Sequence, residues 1–258
     1  MAETLPHVKY FNMHGILKRG FLHPGGRNAT GKLLNHLASL RPEATVLEIG
    51  CGIGETARLL LDRYPYRYVG IDASPSMLDR TRARLLPHAG RSTLIECDLV
   101  RNALPLDSNS VDAIISESVF EVLSVENLLQ ECHRVLRGDG LLCLNSRMWS
   151  DTTSFGERLA ANAFTQELLG VPAAPDEPAT IDEWVSLVEK IGFELVTKEK
   201  LDATNHDNRE NPRRLATFIQ MLVHPSYVEY WLNNRIVERK FKHVWDAMDS
   251  WLIVARKG

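Results

Sequence analysis

The run Val46-Leu47-Glu48-Ile49-Gly50-Cys51-Gly52-Ile53-Gly54 constrains this chain more than any other segment. Its apolar, β-branched start has the character of a parallel strand buried on both faces. The strand carries one acid, Glu48, and then three glycines at alternate positions. Glycines there let the backbone turn sharply and approach a ligand where a Cβ would collide. Glu55-Thr56-Ala57-Arg58-Leu59-Leu60-Leu61 follows as a helix whose N-terminus faces the same place. Strand, glycine loop and helix N-terminus make the nucleotide-binding corner of an open α/β sheet.

Two ligand classes compete for that corner. The dinucleotide fingerprint is G-x-G-x-x-G. Counted from Gly50, its third glycine falls on Glu55, and that register fails. Counted from Gly52 it falls on Ala57, which the pattern tolerates. In both registers the Glu55 carboxylate would repel a pyrophosphate.

The segments downstream narrow the choice. Arg67-Tyr68-Val69-Gly70-Ile71-Asp72 reads as a short strand ending in an acid, placed about 20 residues after the loop, where a carboxylate accepts from ribose hydroxyls. Ser74 suits an N-cap and Pro75 the first helical position, with Met77, Leu78, Thr81 and Leu85 as the buried face of the helix. A third strand, Ser92-Thr93-Leu94-Ile95-Glu96-Cys97, runs into Asp98-Leu99. The turn-rich Pro105-Leu106-Asp107-Ser108-Asn109-Ser110 then leads to a fourth, Val111-Asp112-Ala113-Ile114-Ile115-Ser116. Arg134-Val135-Leu136 ends a helix, Gly138-Asp139-Gly140 supplies a tight turn, and Leu141-Leu142-Cys143-Leu144 opens a fifth strand.

These five elements, led by an E-x-G-x-G-x-G spacing, resemble the class I S-adenosylmethionine (SAM)-dependent methyltransferases of the small-molecule, type 11-like kind. The resemblance is close over residues 30–150 and looser over 192–200 and 250–257. It implies a Rossmann-like, doubly wound α/β fold with seven strands in the order 3-2-1-4-5-7-6, strand seven antiparallel. It also implies SAM as the cofactor, whose sulfonium and lack of phosphate make Glu48 and Glu55 tolerable. In the family, an acid at the Asp98 position contacts the adenine amino group, with the next residue, Leu99, beside the ring. The cofactor set this predicts is Glu48, Gly50, Cys51, Gly52, Gly54, Asp72, Ala73, Met77, Asp98, Leu99 and Ser116.

Composition excludes several other classes. A net charge of −3 is a poor footprint for nucleic acid, whose binding leans on many Lys and Arg contacts to phosphate. The Asn-Pro-Pro-Tyr type of motif found in many base methyltransferases is missing after Ile115. Four cysteines without a C-x-x-C pair indicate neither a zinc site nor a disulfide framework, so no metal is expected. No apolar run is long enough to span a bilayer and no signal-peptide pattern opens the chain, so a cytoplasmic location is expected.

Methyl transfer needs an aligned nucleophile and a site without water; a general base is optional. Candidates near the methyl come from three places. Glu117 and Glu121 follow the fourth strand, beyond whose carboxyl end ligands bind. Glu117 is a catalytic candidate, Glu121 a substrate contact; relatives often carry His near position 121. The N-terminal segment offers Tyr10 and Phe11 to the substrate, and His14 and His23 as bases. Arg147 and Trp149, leaving the fifth strand, are placed to pair with an anionic group and to stack on a ring or cation. Each of these groups also has a plain structural reading, as a cap, a salt bridge or a packed side chain.

The expected organisation is an N-terminal lid and first helix over 1–40, a SAM-binding core over 41–200 and 249–258, and a helical insertion over 201–248. Thr180-Ile181-Asp182-Glu183 reads as a capping box opening a helix that stops at Gly192. Within the insertion, Tyr227, Tyr230, Trp231, Asn234, Val237, Phe241, Val244, Trp245 and Met248 recur at helical spacing, with a basic opposite face. Three destinations stay open for that stripe: a cap over the substrate, a homodimer interface, or a membrane-surface element. The expected activity is methyl transfer from SAM to a small-molecule acceptor. The alternatives are a SAM-binding regulator without catalysis, or a SAM-using enzyme of other chemistry, such as decarboxylation or cyclisation, on the same fold.

Overall fold

Apolar residues on both faces of neighbouring strands make a sheet that must be covered twice, and that is what the chain builds. The structure, a computed structural model, describes residues 21, 23–202, 228, 232, 233, 236, 239, 240, 242 and 248–258. In order these form α1 (Gly26–His36), β1 (Thr45–Ile49), α2 (Glu55–Arg63), β2 (Arg67–Asp72), α3 (Pro75–Arg84), β3 (Ser92–Glu96) and β4 (Val111–Glu117). They continue with α4 (Val125–Val135), β5 (Leu136–Trp149), α5 (Phe155–Leu169), α6 (Ile181–Ile191), β6 (Phe193–Leu201) and β7 (Met248–Lys257). The predicted lid residues Tyr10, Phe11 and His14, and most of the predicted insertion with its aromatic stripe, lie outside the described residues.

The seven strands pair in the order β3-β2-β1-β4-β5-β7-β6. β1 to β5 are parallel, and β7 runs antiparallel to both β5 and β6. Alternate residues feed two cores, as the strand period requires. Val46, Ala113, Ile115, Cys143 and Val254 face the helices α1 and α2, packing on Leu33, Leu34, Leu37 and Leu60. Leu47, Ile114, Leu142, Leu144 and Ile253 face α4 and α6, packing on Leu129, Cys132, Trp184 and Val188. The strand order reverses between β1 and β4, so the carboxyl ends of β1, β2 and β4 open a crevice at that switch point.

Three local expectations are corrected. The turn before the fifth strand is not separate from it: β5 begins at Leu136, and Gly138-Asp139-Gly140 forms an irregularity within it. There Val111 pairs with Leu136 but Ala113 with Leu141, and Asp139 takes φ 63°. The Thr180 side chain does not cap α6; instead Glu183 reaches back, its Oε2 accepting from the Ala179 N–H at 2.7 Å. The reciprocal capping box sits on α5, an element with no counterpart in the sequence reading: the Glu157 N–H donates to Ser154 Oγ at 3.3 Å, and Ser154 N–H donates to Glu157 Oε2 at 2.9 Å. The buried face of α5 is only Ala161, Asn162 and Thr165. Small and polar residues leave almost no hydrophobic period to detect.

Among the described residues no helix is long and apolar enough to cross a membrane. The four cysteines are free thiols, three of them buried.

Candidate active site

A cavity of about 300 Å³ opens at the carboxyl end of the sheet. Its floor is the glycine loop. Gly50 has φ 73° and a Cβ there would sit 2.3 Å from Val119 Cγ2, so only glycine lets the loop fold under the β4 loop. Gly52 has φ 52° and open space where its Cβ would be, which leaves room for a ligand against bare backbone. The loop is held from beneath: Gly52 N–H donates to Asp72 Oδ2 at 2.9 Å, and Thr81 Oγ1 donates to Gly52 O at 2.7 Å. Asp72 also takes the Ser74 N–H on Oδ1 at 2.9 Å. One β2-terminal carboxylate thus fixes both the glycine loop and the start of α3.

The walls are acidic. Glu48, Glu55, Asp72, Asp98, Glu117 and Glu121 line the cavity, against His23 and Arg147 as its only basic lining groups among the described residues. Burial raises the Glu48 carboxyl well above the usual carboxylate range, although Tyr68 O–H donates to its Oε2 at 2.7 Å. Burial also raises Asp72 and Glu121, in each case against hydrogen bonds that favour the charged form. An apolar pocket crowded with carboxylates of raised pKa favours a cationic ligand, whose charge offsets their desolvation. Glu55 is different. It pairs with Arg84 at 2.8 Å and with Arg58 at 3.4 Å, so its charge is largely offset and it is a weaker argument against a pyrophosphate than the sequence suggested.

Glu117, at the end of β4, is the hub of a buried polar network. Thr30 Oγ1 lies 3.1 Å from both of its carboxylate oxygens, Thr56 O–H donates to Oε2 at 2.8 Å, and Asn145 Nδ2 is 3.4 Å from Oε1. His23 closes the ring: its Nε2 is 3.1 Å from Thr30 Oγ1, and its Nδ1 is 3.0 Å from Asn145 Nδ2. Asn145 Nδ2 also donates to Pro24 O at 3.0 Å, which fixes the amide orientation. His23 Nδ1 also lies 3.3 Å from Pro24 O and 3.4 Å from Glu117 Oε1, so which ring nitrogen donates follows the tautomer. Both ring nitrogens are engaged, which makes His23 a strut joining the N-terminal segment to the sheet rather than a free base.

The other predicted residues divide cleanly. Gly50, Cys51, Gly52, Ala73, Met77, Leu99, Asp98 and Arg147 line the cavity. Gly54 and Ser116 do not: Gly54 caps α2 with φ 78°, and Ser116 is 1% exposed within β4. Trp149 is a correction. It is 1% exposed and packs with Ala161, Ala173, Ala174, Ala179 and Met248 in a small third core, outside the cavity lining. Arg147 and Trp149, two residues apart, share a face of β5, but Trp149 ends the strand, where the small residues of α5 and the 173–179 segment cover the indole.

Several lining or supporting residues escaped the sequence reading: Thr30, Thr56, Asn145 and the wall formed by Thr165, Leu169, Val171, Pro172 and Ala173. Asn145 had a signal, a lone amide ending an apolar strand, and it is 0% exposed. The α5 wall had none. Asn162 builds that wall, its Oδ1 accepting from Ala173 N–H at 2.8 Å and Ala174 N–H at 3.3 Å while its Nδ2 donates to Ala174 O at 2.9 Å and Asp176 Oδ1 at 2.8 Å. Among the described residues no cluster of His, Cys, Asp and Glu could hold a metal ion.

Comparison with known proteins agrees with this geometry. Residues 47–144 match the family model described as a methyltransferase domain. An uncharacterised methyltransferase of Bacillus subtilis is 31% identical over 134 residues, covering 52% of this chain and 56% of that one, so the match spans about half of the relative's length. The structure of Haemonchus contortus phosphoethanolamine N-methyltransferase 2, solved with phosphomonomethylethanolamine and S-adenosylhomocysteine, superposes with a TM-score of 0.71 at 20% identity, covering 96% of this chain and 56% of that one. The [4+2]-cyclase SpnF superposes with a TM-score of 0.74 at 16% identity, covering 98% and 97%. At these identities the two structures establish the fold alone.

Proposed function

We propose that this chain, whose residues 47–144 match a methyltransferase domain, is a class I SAM-dependent methyltransferase that transfers the methyl group of SAM to a small-molecule acceptor held in the cavity above the glycine loop. The observation that carries this reading is the cavity itself: bare backbone at Gly52 beneath a ring of buried and half-buried carboxylates. It fits a ligand that brings a sulfonium and an ammonium but no phosphate, and it disfavours a pyrophosphate. Asp72 is placed to take ribose hydroxyls, Asp98 and Leu99 to flank the adenine, and Glu48 to face the cationic end. When bound, SAM supplies an activated methyl, so the protein's task is to hold the acceptor in line and keep water out. Phe21, Val119, Val122, Leu123 and Leu169 supply the apolar enclosure.

The cyclase neighbour keeps a second reading in view, SAM-dependent chemistry without methyl transfer on the same fold. A sealed apolar pocket would favour it. The polar acceptor side of this cavity, with Glu121, Arg147 and the Glu117 network, supports methyl transfer instead. Calorimetric titration tests the central claim: SAM and S-adenosylhomocysteine are expected to bind with micromolar affinity and NAD not at all. Binding of NAD without SAM would return the chain to the dinucleotide class.

A further inference from the structure

The carboxylates of the cavity fall into two sets, and the cofactor accounts for only one. Glu48, Asp72 and Asp98 sit at the ends of β1, β2 and β3, around the glycine loop. Glu121 stands apart, on the short 3-10 turn Phe120–Val122 beyond β4. It shares its wall with Val119, Leu123, Leu169, Val171 and Pro172. Its Oε1 accepts the Arg147 backbone N–H at 3.0 Å, and the Arg147 charge and the Ser146 hydroxyl favour its ionised form, but its Oε2 is buried with no hydrogen-bond partner. An unpaired buried carboxylate oxygen is costly, which marks it as a group waiting for a partner.

A second cleft lies on the other side of the same wall. Glu121, Val122, Leu123 and Pro172 border both spaces, and the second is further lined by Glu126, Asp176 and Glu177. Among the described residues none that lines it is Lys, Arg or His. Glu126 is offset by Lys190 at 3.2 Å, and Asp176 accepts from Asn162, while Glu177 stands exposed. The cleft therefore presents a net negative approach that ends on Glu121. A carboxylate or phosphate would be repelled along it, and a neutral alcohol would gain nothing from it.

Building on the methyl-transfer reading, we propose that the acceptor is an amine that arrives as a cation through the 121–126 and 172–178 cleft and is paired by Glu121 Oε2. The step balances: the ammonium gives a proton to the Glu121 carboxylate, and the freed nitrogen lone pair forms the N–C bond as the S–C bond breaks. The sulfur keeps that bond's electron pair as a thioether, the product is a methylated ammonium, and the Glu121 proton leaves to solvent. Burial, which raises the Glu121 carboxyl, makes it a better proton acceptor than an exposed glutamate.

Three probes of similar shape test the inference: benzylamine, benzyl alcohol and benzoate, titrated by ligand-observed NMR against protein saturated with S-adenosylhomocysteine. The amine, a cation at neutral pH, is expected to bind at least about tenfold tighter than the alcohol, with benzoate weakest. That preference should shrink in about 0.5 M salt and collapse in Glu121→Gln, with S-adenosylhomocysteine affinity retained and the melting temperature not lowered. Glu177→Gln, an exposed change that leaves the fold alone, should reduce the preference in part. Equal binding of the three probes, tighter binding of the alcohol or benzoate, or an undiminished preference in Glu121→Gln would overturn the inference while leaving methyl transfer standing. Failure of wild-type protein to bind S-adenosylhomocysteine would overturn both.

Discussion

Glu117 shows how a residue's role depends on its partners. From sequence it reads as an acid facing the substrate; in the fold it takes contacts from Thr30, Thr56 and Asn145 and ties the N-terminal segment, through His23, to β4 and β5. A carboxylate engaged in this way positions its neighbours. Replacing it by Gln keeps the shape but removes the charge and one acceptor oxygen, so Thr30, Thr56 and the Asn145 amide can no longer all donate to it. Glu117→Gln is expected to lower turnover about 10–100-fold while SAM affinity changes no more than about threefold. Stopped-time assays beside calorimetry would measure the two, and equal losses in both would assign Glu117 to the cofactor instead. Asn145 and Thr56 belong to the same network, yet their roles come from contacts across 28 and 61 residues of chain, a separation that no local pattern encodes.

At the scale of elements, Asn162 ties α5 to the 171–179 segment with which it builds a wall of the cavity. Asn162 is 8% exposed and makes four hydrogen bonds to Ala173, Ala174 and Asp176. Asn162→Ala would strand two backbone N–H groups, at a cost of about 2–4 kcal/mol. It should also loosen the side of the cavity opposite the glycine loop, so acceptor KM is expected to rise with SAM affinity spared. Denaturant unfolding and steady-state kinetics check the two halves, and an unchanged KM would place the acceptor elsewhere. The described part of the segment after β6 touches this same element: Asn233 Nδ2 donates to Leu168 O at 3.0 Å, and Lys240 Nζ lies 4.4 Å from the Phe164 ring centroid.

For the molecule as a whole, the buried carboxylates link stability, pH and ligand. Burial raises Glu48 and Glu121 above the value of an unfolded chain, about 4.3. The folded state therefore keeps protons that the unfolded state has lost, and stability falls as pH rises from about 4.3 through the raised pKa values. A Glu48→Gln/Glu121→Gln double variant should be more stable than wild type at pH 7.5, and the gap should close near pH 4. Comparing the two chains cancels the opposite contribution of His133, whose pKa burial lowers. Melting curves across that pH range measure it, and a gap independent of pH would refute the linkage. The order 3-2-1-4-5-7-6 came from the resemblance to the methyltransferase family, while the glycine loop and the strand-end acids Glu48, Asp72 and Asp98 were legible in the sequence, because strand period, glycine spacing and turn chemistry are local properties of consecutive residues. The pairing of Glu183 with Ala179, the Asn162 wall, the His23–Glu117–Asn145 ring and the burial of Trp149 were not. Each brings together groups from separate elements, and which hydrogen bonds close is settled only when sheet and helices pack and water leaves the buried polar atoms no other partner. The chain's own order thus determined what kind of ligand corner it has, and tertiary packing alone decided which side chains surround the acceptor.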